Sequence, residues 1–230
     1  NKVTVVMPVY NSEKTVKQAI ESVKNQTFKK WKLIVIDDCS NDKTFKIANK
    51  FKSKKIRILR NRKRLGLTKT LNKIIFKLNS IYVARLDADD KYLPKKLKKQ
   101  ILFLERNNKI SLLGSNVNYL NKRQNLIKKS NFPTSDVLIK REIIKKNVFV
   151  HSAVIFKLSF FKDLGGYNEF FFNAQDYDLW LRGRNKYLYR NLNEVLVNHT
   201  LKEKIKFKKI MYGICAMIFN LEFNKYLLKS

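Results

Sequence analysis

The chain has 230 residues, 44% of them hydrophobic, with 50 Lys+Arg against 18 Asp+Glu and a formal net charge of +32. That length and apolar content allow one sizeable packed core and exclude a disordered chain, while 6 Gly and 3 Pro leave little for a flexible linker. Two cysteines, Cys39 and Cys215, are too few and too far apart for a disulfide framework or a zinc site, so a reducing, cytoplasmic compartment is expected.

Along the chain, "KVTVVMPVYN" predicts a buried strand that stops at Pro8 and Asn11. "SEKTVKQAIESVKNQT" predicts a helix with Ser12 as its N-cap and Val16, Ala19, Ile20 and Val23 on one face. "WKLIVIDDCSND" is a second strand ending in Asp37 and Asp38; a helix over residues 43–52 and a third strand, "IRILRN", follow. A Gly-containing loop then feeds a helix in "RKRLGLTKTLNKIIFKLN", and "SIYVARLDADD" supplies a fourth strand ending in Asp87, Asp89 and Asp90. Strands alternating with helices imply an α/β fold with a mostly parallel sheet, whose ligands bind at the carboxyl ends of the strands. Both acidic clusters fall at such ends and are expected to face one crevice. Three carboxylates within four positions repel one another unless a cation or hydrogen bonds compensate, so "RLDADD" reads as a site.

The second half is less regular. "YLPKKLKKQILFLERN" predicts an amphipathic helix with Leu97, Ile101 and Leu104 on one face, and "ISLLGSNVNYL" a strand. "REIIKKN" reads as a short helix, "SAVIFK" as a strand, "LGGYNE" as a turn, "AQDYDLWLRGRNK" as a helix with an acidic start, and "VLVNHT" as a last short strand. The segment over residues 201–230 carries apolar and basic residues at helical spacing but no run long enough to span a bilayer, so it is expected to lie on an anionic membrane surface, to close the core or to make a dimer contact.

"VTVVMPVYNSEKTVKQAIESVKNQTFKKWKLIVIDDCSNDKT", then "RLDADD", then "GGYNEFFFNAQDYDLWLR", in that order, resemble the family 2 glycosyltransferases with a GT-A fold. The resemblance covers about residues 3–200 and implies one compact unit: residues 1–90 form a nucleotide-sugar-binding half and residues 91–200 an acceptor-binding half. It implies an inverting transfer of a sugar from a nucleotide donor, UDP-linked in most relatives, to an acceptor hydroxyl, with Mn²⁺ or Mg²⁺ assistance. A saccharide or lipid-linked saccharide of bacterial surface polysaccharide would be the acceptor, met at the inner face of the cell membrane. Local chemistry agrees, because a divalent cation held by carboxylates stabilises the charge gathering on a leaving diphosphate.

On the same resemblance, Asp87 and Asp89 match the DxD motif, Asp89 as metal ligand and Asp87 shared between ribose and metal; a helix N-cap would need only one Asp. Asp38 matches the carboxylate that recognises the base, with Pro8, Tyr10, Asn11 and Glu13 around the same pocket and Tyr10 offering its ring face. Turn chemistry before a helix is the alternative for Asp37 and Asp38. Asp176 falls where the family keeps its general base, with Gln175 replacing the usual Glu, and Asp178 is expected to pair with Arg182. His199 resembles a late His near the metal or diphosphate. Lys69 and Arg85 are candidate diphosphate contacts, His151 and Trp180 candidate acceptor contacts, and Asp90 either a cap or an acceptor-side residue.

Two other classes are open to the residues alone. A basic nucleic-acid-binding protein would explain the charge, but the lysines are spread along the chain, no reading motif is present, and an AT-rich genome gives the same composition. A non-catalytic nucleotide-sugar-binding protein would explain the crevice but not Asp176.

Overall fold

In the computed structural model, which describes residues 2–171 and 173–201, the predicted alternation is realised. The order is β1 (Val3–Val9), α1 (Val16–Lys24), β2 (Trp31–Asp37), α2 (Thr44–Asn49), β3 (Ile56–Arg60), α3 (Leu67–Ile75) and β4 (Tyr82–Arg85). Then come β5 (Lys91–Tyr92), α4 (Lys96–Arg106), β6 (Ile110–Leu120), β7 (Leu126–Lys129), α5 (Asp136–Ile143) and a 3₁₀ turn (His151–Ala153). β8 (Ile155–Lys157), α6 (Leu158–Asp163), α7 (Gln175–Gly183) and β9 (Leu188–Thr200) complete the described chain.

All these strands join one sheet in the order β3-β2-β1-β4-β8-β6-β9-β5, with β7 pairing the far end of β6. β1–β2, β1–β4, β2–β3 and β6–β9 are parallel and carry most of the paired residues, while β8, β5 and β7 enter antiparallel. β1 shows why the strand pattern was legible. Successive side chains alternate between sheet faces: Val3, Val5, Met7 and Val9 pack into one core with α1 and α4, and Val6 enters the opposite core with Leu71, Ile74 and Ile75 of α3. The second core is rich in aromatics, where Trp180 packs against Phe149, Phe156 and Phe160. Among the described residues no helix is long and apolar enough to cross a membrane.

Several local expectations need correction. Ser12 does not cap α1 with its side chain; its hydroxyl donates to the Tyr10 carbonyl (3.0 Å), and its own carbonyl accepts from Thr15 and Val16 N–H. α5 begins ahead of "REIIKKN", because the Ser135 hydroxyl caps it by accepting from Leu138 N–H (3.4 Å). The final strand is long: β9 runs for 13 residues because it pairs with β6 along its whole length. β5, β7 and α6 were not foreseen, being too short to show a period. The amphipathic segment expected over residues 201–230 lies outside the described residues from residue 202 on.

Candidate active site

β1, β2 and β4 end side by side, and the loops leaving them enclose a crevice of about 540 Å³. Its walls include Pro8, Tyr10, Asn11 and Glu13 from the β1–α1 loop, Leu67 at the start of α3, and Asp87 and Asp89 from the turn after β4. Six of the sequence-predicted residues therefore share one cavity.

The β1–α1 loop is held in place by its neighbour from β2. Asn11 takes a left-handed conformation (φ 45°), one that Asn tolerates better than most residues. Its N–H donates to Ser40 Oγ (3.0 Å), and its side-chain oxygen accepts from Asn41 N–H (3.0 Å). Glu13 and Asp42 cross-link the same loops reciprocally: Glu13 N–H donates to Asp42 (3.1 Å), and Lys43 N–H donates to Glu13 (3.0 Å). Asp42 also lines the crevice and was not foreseen.

The turn after β4 separates its three carboxylates. Asp90 N–H donates to the Asp87 carbonyl (3.1 Å), closing a tight turn that leaves Asp87 and Asp89 on the crevice wall. Asp90 instead points inward with its side chain fully buried, accepting from Thr200 N–H (2.9 Å) and meeting His199 Nδ1 at 2.8 Å. The end of β9 thus clamps the turn, and Thr200 Oγ1 adds a bond to the Asp89 carbonyl (2.7 Å). Asp90 is neither a helix cap nor an acceptor-side group; it orients His199. A carboxylate oxygen accepts, so in this pair His199 Nδ1 is the donor. Burial lowers the His199 pKa, but the Asp90 hydrogen bond and the charges of Asp90, Asp87 and Asp89 outweigh it and raise the value overall.

Arg85 is not a diphosphate contact. Its side chain is fully buried beneath the turn: Nη1 donates to the carbonyls of Val6 (2.7 Å) and Leu86 (3.0 Å), Nη2 to Asp87 (2.6 Å), and Nε to His151 Nε2 (3.2 Å). A buried guanidinium must be paired and hydrogen-bonded, and here it fixes the rotamer of the first DxD carboxylate. Ser152 Oγ accepts from Asp87 N–H (3.0 Å) and supports the same residue. His151 is likewise a structural partner: burial and the adjacent Arg85 charge hold its pKa well below the usual range, and its Nε2 also meets the Tyr167 hydroxyl at 2.8 Å. Tyr167 is itself buried, and burial raises its pKa. The Arg85 charge opposes that effect, and the charges of Asp176 and Asp87 add to it.

Asp37 and Asp38 do not face the crevice. Asp37 is buried against Ser40 N–H and Arg60 (3.1 Å). Asp38 accepts from Asn61 (2.8 Å), Leu65 N–H (2.9 Å), Gly66 N–H (2.8 Å) and Thr70 (3.1 Å). Burial alone would raise its pKa, but those four bonds lower it overall. The carboxylate orders the 61–70 segment, whose Gly66 has φ 86°, a conformation that favours glycine. Three of these bonds fall on Oδ1 and only that of Gly66 on Oδ2. That segment also carries Arg64, whose guanidinium lies 4.1 Å from the centre of the Tyr10 ring and covers the face expected to receive a base.

Lys69 lies apart, on a separate groove with Lys73, Phe76 and Tyr167. Trp180 is fully buried in the aromatic core and cannot stack on a sugar. Asp178 pairs with Arg182 at 2.9 Å, as its spacing predicted. Asp176 stands half-buried in the first turn of α7, where the helix dipole favours a carboxylate, and accepts from Asn147 Nδ2 (3.3 Å). Asn147 in turn belongs to a second groove of about 530 Å³ between β7 and α5, which reaches Tyr119. The Tyr119 ring meets His199 edge-on at 5.7 Å between centres, so one lining residue of this groove touches His199 and another, Asn147, touches Asp176. Asn147, Ser152, Tyr167 and Thr200 carried no local signal, because each acts on a partner distant in sequence.

Among the described residues no three His, Cys, Asp or Glu side chains cluster into a ready-made metal site. The donors on the crevice wall are two carboxylates, Asp87 and Asp89. That set fits Mg²⁺ or Mn²⁺ bound by one or two carboxylates together with substrate phosphates, better than it fits an all-protein cage.

The family model for Glycosyl transferase family 2 matches residues 4–165. The O-antigen biosynthesis glycosyltransferase WbnJ of Escherichia coli is 31% identical over 236 residues, covering 97% of this chain and 89% of that protein. Among solved structures, residues 1–349 of S. aureus TarS in complex with UDP-GlcNAc superpose with a TM-score of 0.74 at 21% identity, covering 89% of this chain and 60% of that one. The mannosyltransferase PcManGT of Pyrobaculum calidifontis, in complex with GDP-Man and Mn²⁺, gives a TM-score of 0.71 at 15% identity, covering all of this chain and 65% of that one. The chain thus spans less than two thirds of either solved relative.

Proposed function

Because this chain belongs to glycosyl transferase family 2 and is a glycosyltransferase, we propose that it transfers a sugar, with inversion, from a nucleotide donor in the crevice to a saccharide hydroxyl held in the groove between β7 and α5. The observation that carries this reading is the sharing of one crevice by Pro8, Tyr10, Asn11, Asp87 and Asp89, with Asp176 hydrogen-bonded to Asn147 in the wall of a second groove. Residues up to Asp90 serve the donor, and residues from Lys91 to Thr200 serve the acceptor, apart from His199 on the donor side.

Asp87, Asp89 and His199 Nε2 would hold Mn²⁺ or Mg²⁺. A bound divalent cation supplies Lewis-acid stabilisation of the charge that gathers on the departing diphosphate. Arg85 locks Asp87, and Asp90 locks His199, so little reorganisation is needed when the donor binds. Arg64, exposed on the loop that Asp38 orders, is better placed than Lys69 or Arg85 to meet the diphosphate or the base. Asp176 takes the proton of the acceptor hydroxyl as its oxygen attacks the anomeric carbon. The bond from that carbon to the diphosphate oxygen breaks, and the nucleoside diphosphate leaves from the opposite face. Only one carboxylate is required for this step, so Gln175 in place of an acid does not remove it.

UDP is the favoured nucleotide, in keeping with the TarS complex, although PcManGT holds a guanine nucleotide on the same fold. The O-antigen role of WbnJ supports assembly of bacterial surface polysaccharide, with an acceptor presented at the inner face of the membrane. The test is incubation with a panel of UDP-, GDP- and dTDP-sugars in Mn²⁺, following donor hydrolysis and thermal stabilisation. One UDP-sugar is expected to be hydrolysed slowly without acceptor and to raise the melting temperature. Stabilisation by none of the panel would contradict the reading.

A further inference from the structure

Five of the eleven large hydrophobic side chains exposed among the described residues belong to just two elements, β7 and α5. On the edge strand β7 these are Leu126 and Ile127, each 54% exposed; on α5 and its end they are Val137, Leu138 and Ile144, with Val137 76% exposed. Single exposed apolar residues are ordinary, but a cluster on adjoining elements marks an interaction surface. Val137, Arg141, Ile144 and Lys145 recur at helical spacing, so α5 buries Ile139 and Ile143 and turns a second, mixed apolar and basic strip to solvent.

The charge around the strip has one sign. Residues 121–135 hold Lys122, Arg123, Lys128 and Lys129 and not one Asp or Glu. On α5, Asp136 is tied to Lys140 and to Tyr189 N–H, and Glu142 is flanked by Arg141 and Lys145, so neither acid offsets the lysines. Apolar side chains set among exposed lysines complement an anionic lipid surface, where the chains enter the headgroup boundary and the ammonium groups meet the phosphates. A second copy of this chain would bring the same positive charges together.

We propose that β7 and α5 form a docking face for an anionic membrane surface, through which the protein sits on the leaflet with the β7–α5 groove opening along it. The placement rests on the acceptor assignment of that groove, whose lining residue Asn147 is bonded to Asp176. A hydroxyl carried on a membrane-borne acceptor would then reach the base without leaving the surface.

The experiment is co-sedimentation of the full chain with phosphatidylcholine vesicles, with and without phosphatidylglycerol, comparing wild type with the triple variant Ile127→Ser, Val137→Ser and Ile144→Ser. All three side chains are exposed and outside the crevice, so the variant is expected to fold with an unchanged melting temperature and to bind UDP in Mn²⁺ as wild type does. Wild type is expected to bind the anionic vesicles only, and the variant to partition about ten-fold or more weakly. Wild-type vesicle binding by the variant, failure of wild type to bind, or a homodimer that the substitutions dissociate would each overturn the proposal. Loss of UDP binding in the wild type would instead strike the assigned function.

Discussion

Asp176→Asn is expected to lower turnover by ~10²–10⁴-fold, the usual contribution of general-base assistance, while UDP and metal affinity stay unchanged. The amide keeps the shape and the acceptor capacity that Asn147 uses, but it cannot take a proton. Asp178→Asn is the control. Asp178 is buried and bonded to Arg182, so its substitution should appear as a lower melting temperature, with near-normal turnover per folded molecule. Steady-state kinetics with saturating donor separate the two variants. If Asp176→Asn keeps full activity, or loses donor binding instead, the base lies elsewhere; Asp90, buried against His199, is not a substitute.

Asp89→Ala is expected to abolish metal-dependent donor hydrolysis with little change in stability. Its side chain is half-buried on the crevice wall, and its backbone carbonyl, which the substitution leaves in place, is what Thr200 holds. Asp87→Ala is a poorer probe, because it also removes the carboxylate partner of the buried Arg85, a loss of the kind that costs about 3–5 kcal/mol. The comparison therefore has a built-in discrimination: both variants lose hydrolysis, but only Asp87→Ala melts early. Retained, Mn²⁺-stimulated hydrolysis by Asp89→Ala would remove Asp89 from the site.

The legible parts of this protein are those whose physics is local. β1, β2 and β4 announce themselves because a strand buried on both faces needs a run of β-branched residues, and their order with intervening helices leaves few topologies open. The DxD turn was legible because crowded carboxylates demand compensation. What compensates each was not: the sequence leaves both a cation and hydrogen bonds open and reads Asp90 as a cap or an acceptor-side residue, whereas Asp90 is held by hydrogen bonds from His199 and Thr200, more than a hundred residues away. Arg85 was misassigned for the same reason. One position looks like any other basic residue in a chain this basic until the fold closes Val6, Asp87 and His151 around it. Asp38 shows the converse, since capping and turn chemistry fit "DDCSND" as well as base recognition did, and the fold engages its carboxylate in four bonds from residues 61–70. β7 and the start of α5 lie where polar residues interrupt any period, which hid both the acceptor groove and the strip of apolar and basic side chains beside it.

The central claim is that the crevice between the β1–α1 loop and the DxD turn binds a nucleoside diphosphate together with a divalent cation. Calorimetric titration of UDP into the wild-type protein, once in Mn²⁺ and once in EDTA, tests it most directly. The account predicts saturable one-site binding in Mn²⁺ and an affinity lower by about ten-fold or more in EDTA, where the diphosphate faces Asp87 and Asp89 without a cation between them. Equal affinity in the two buffers, or no binding in either, would contradict it.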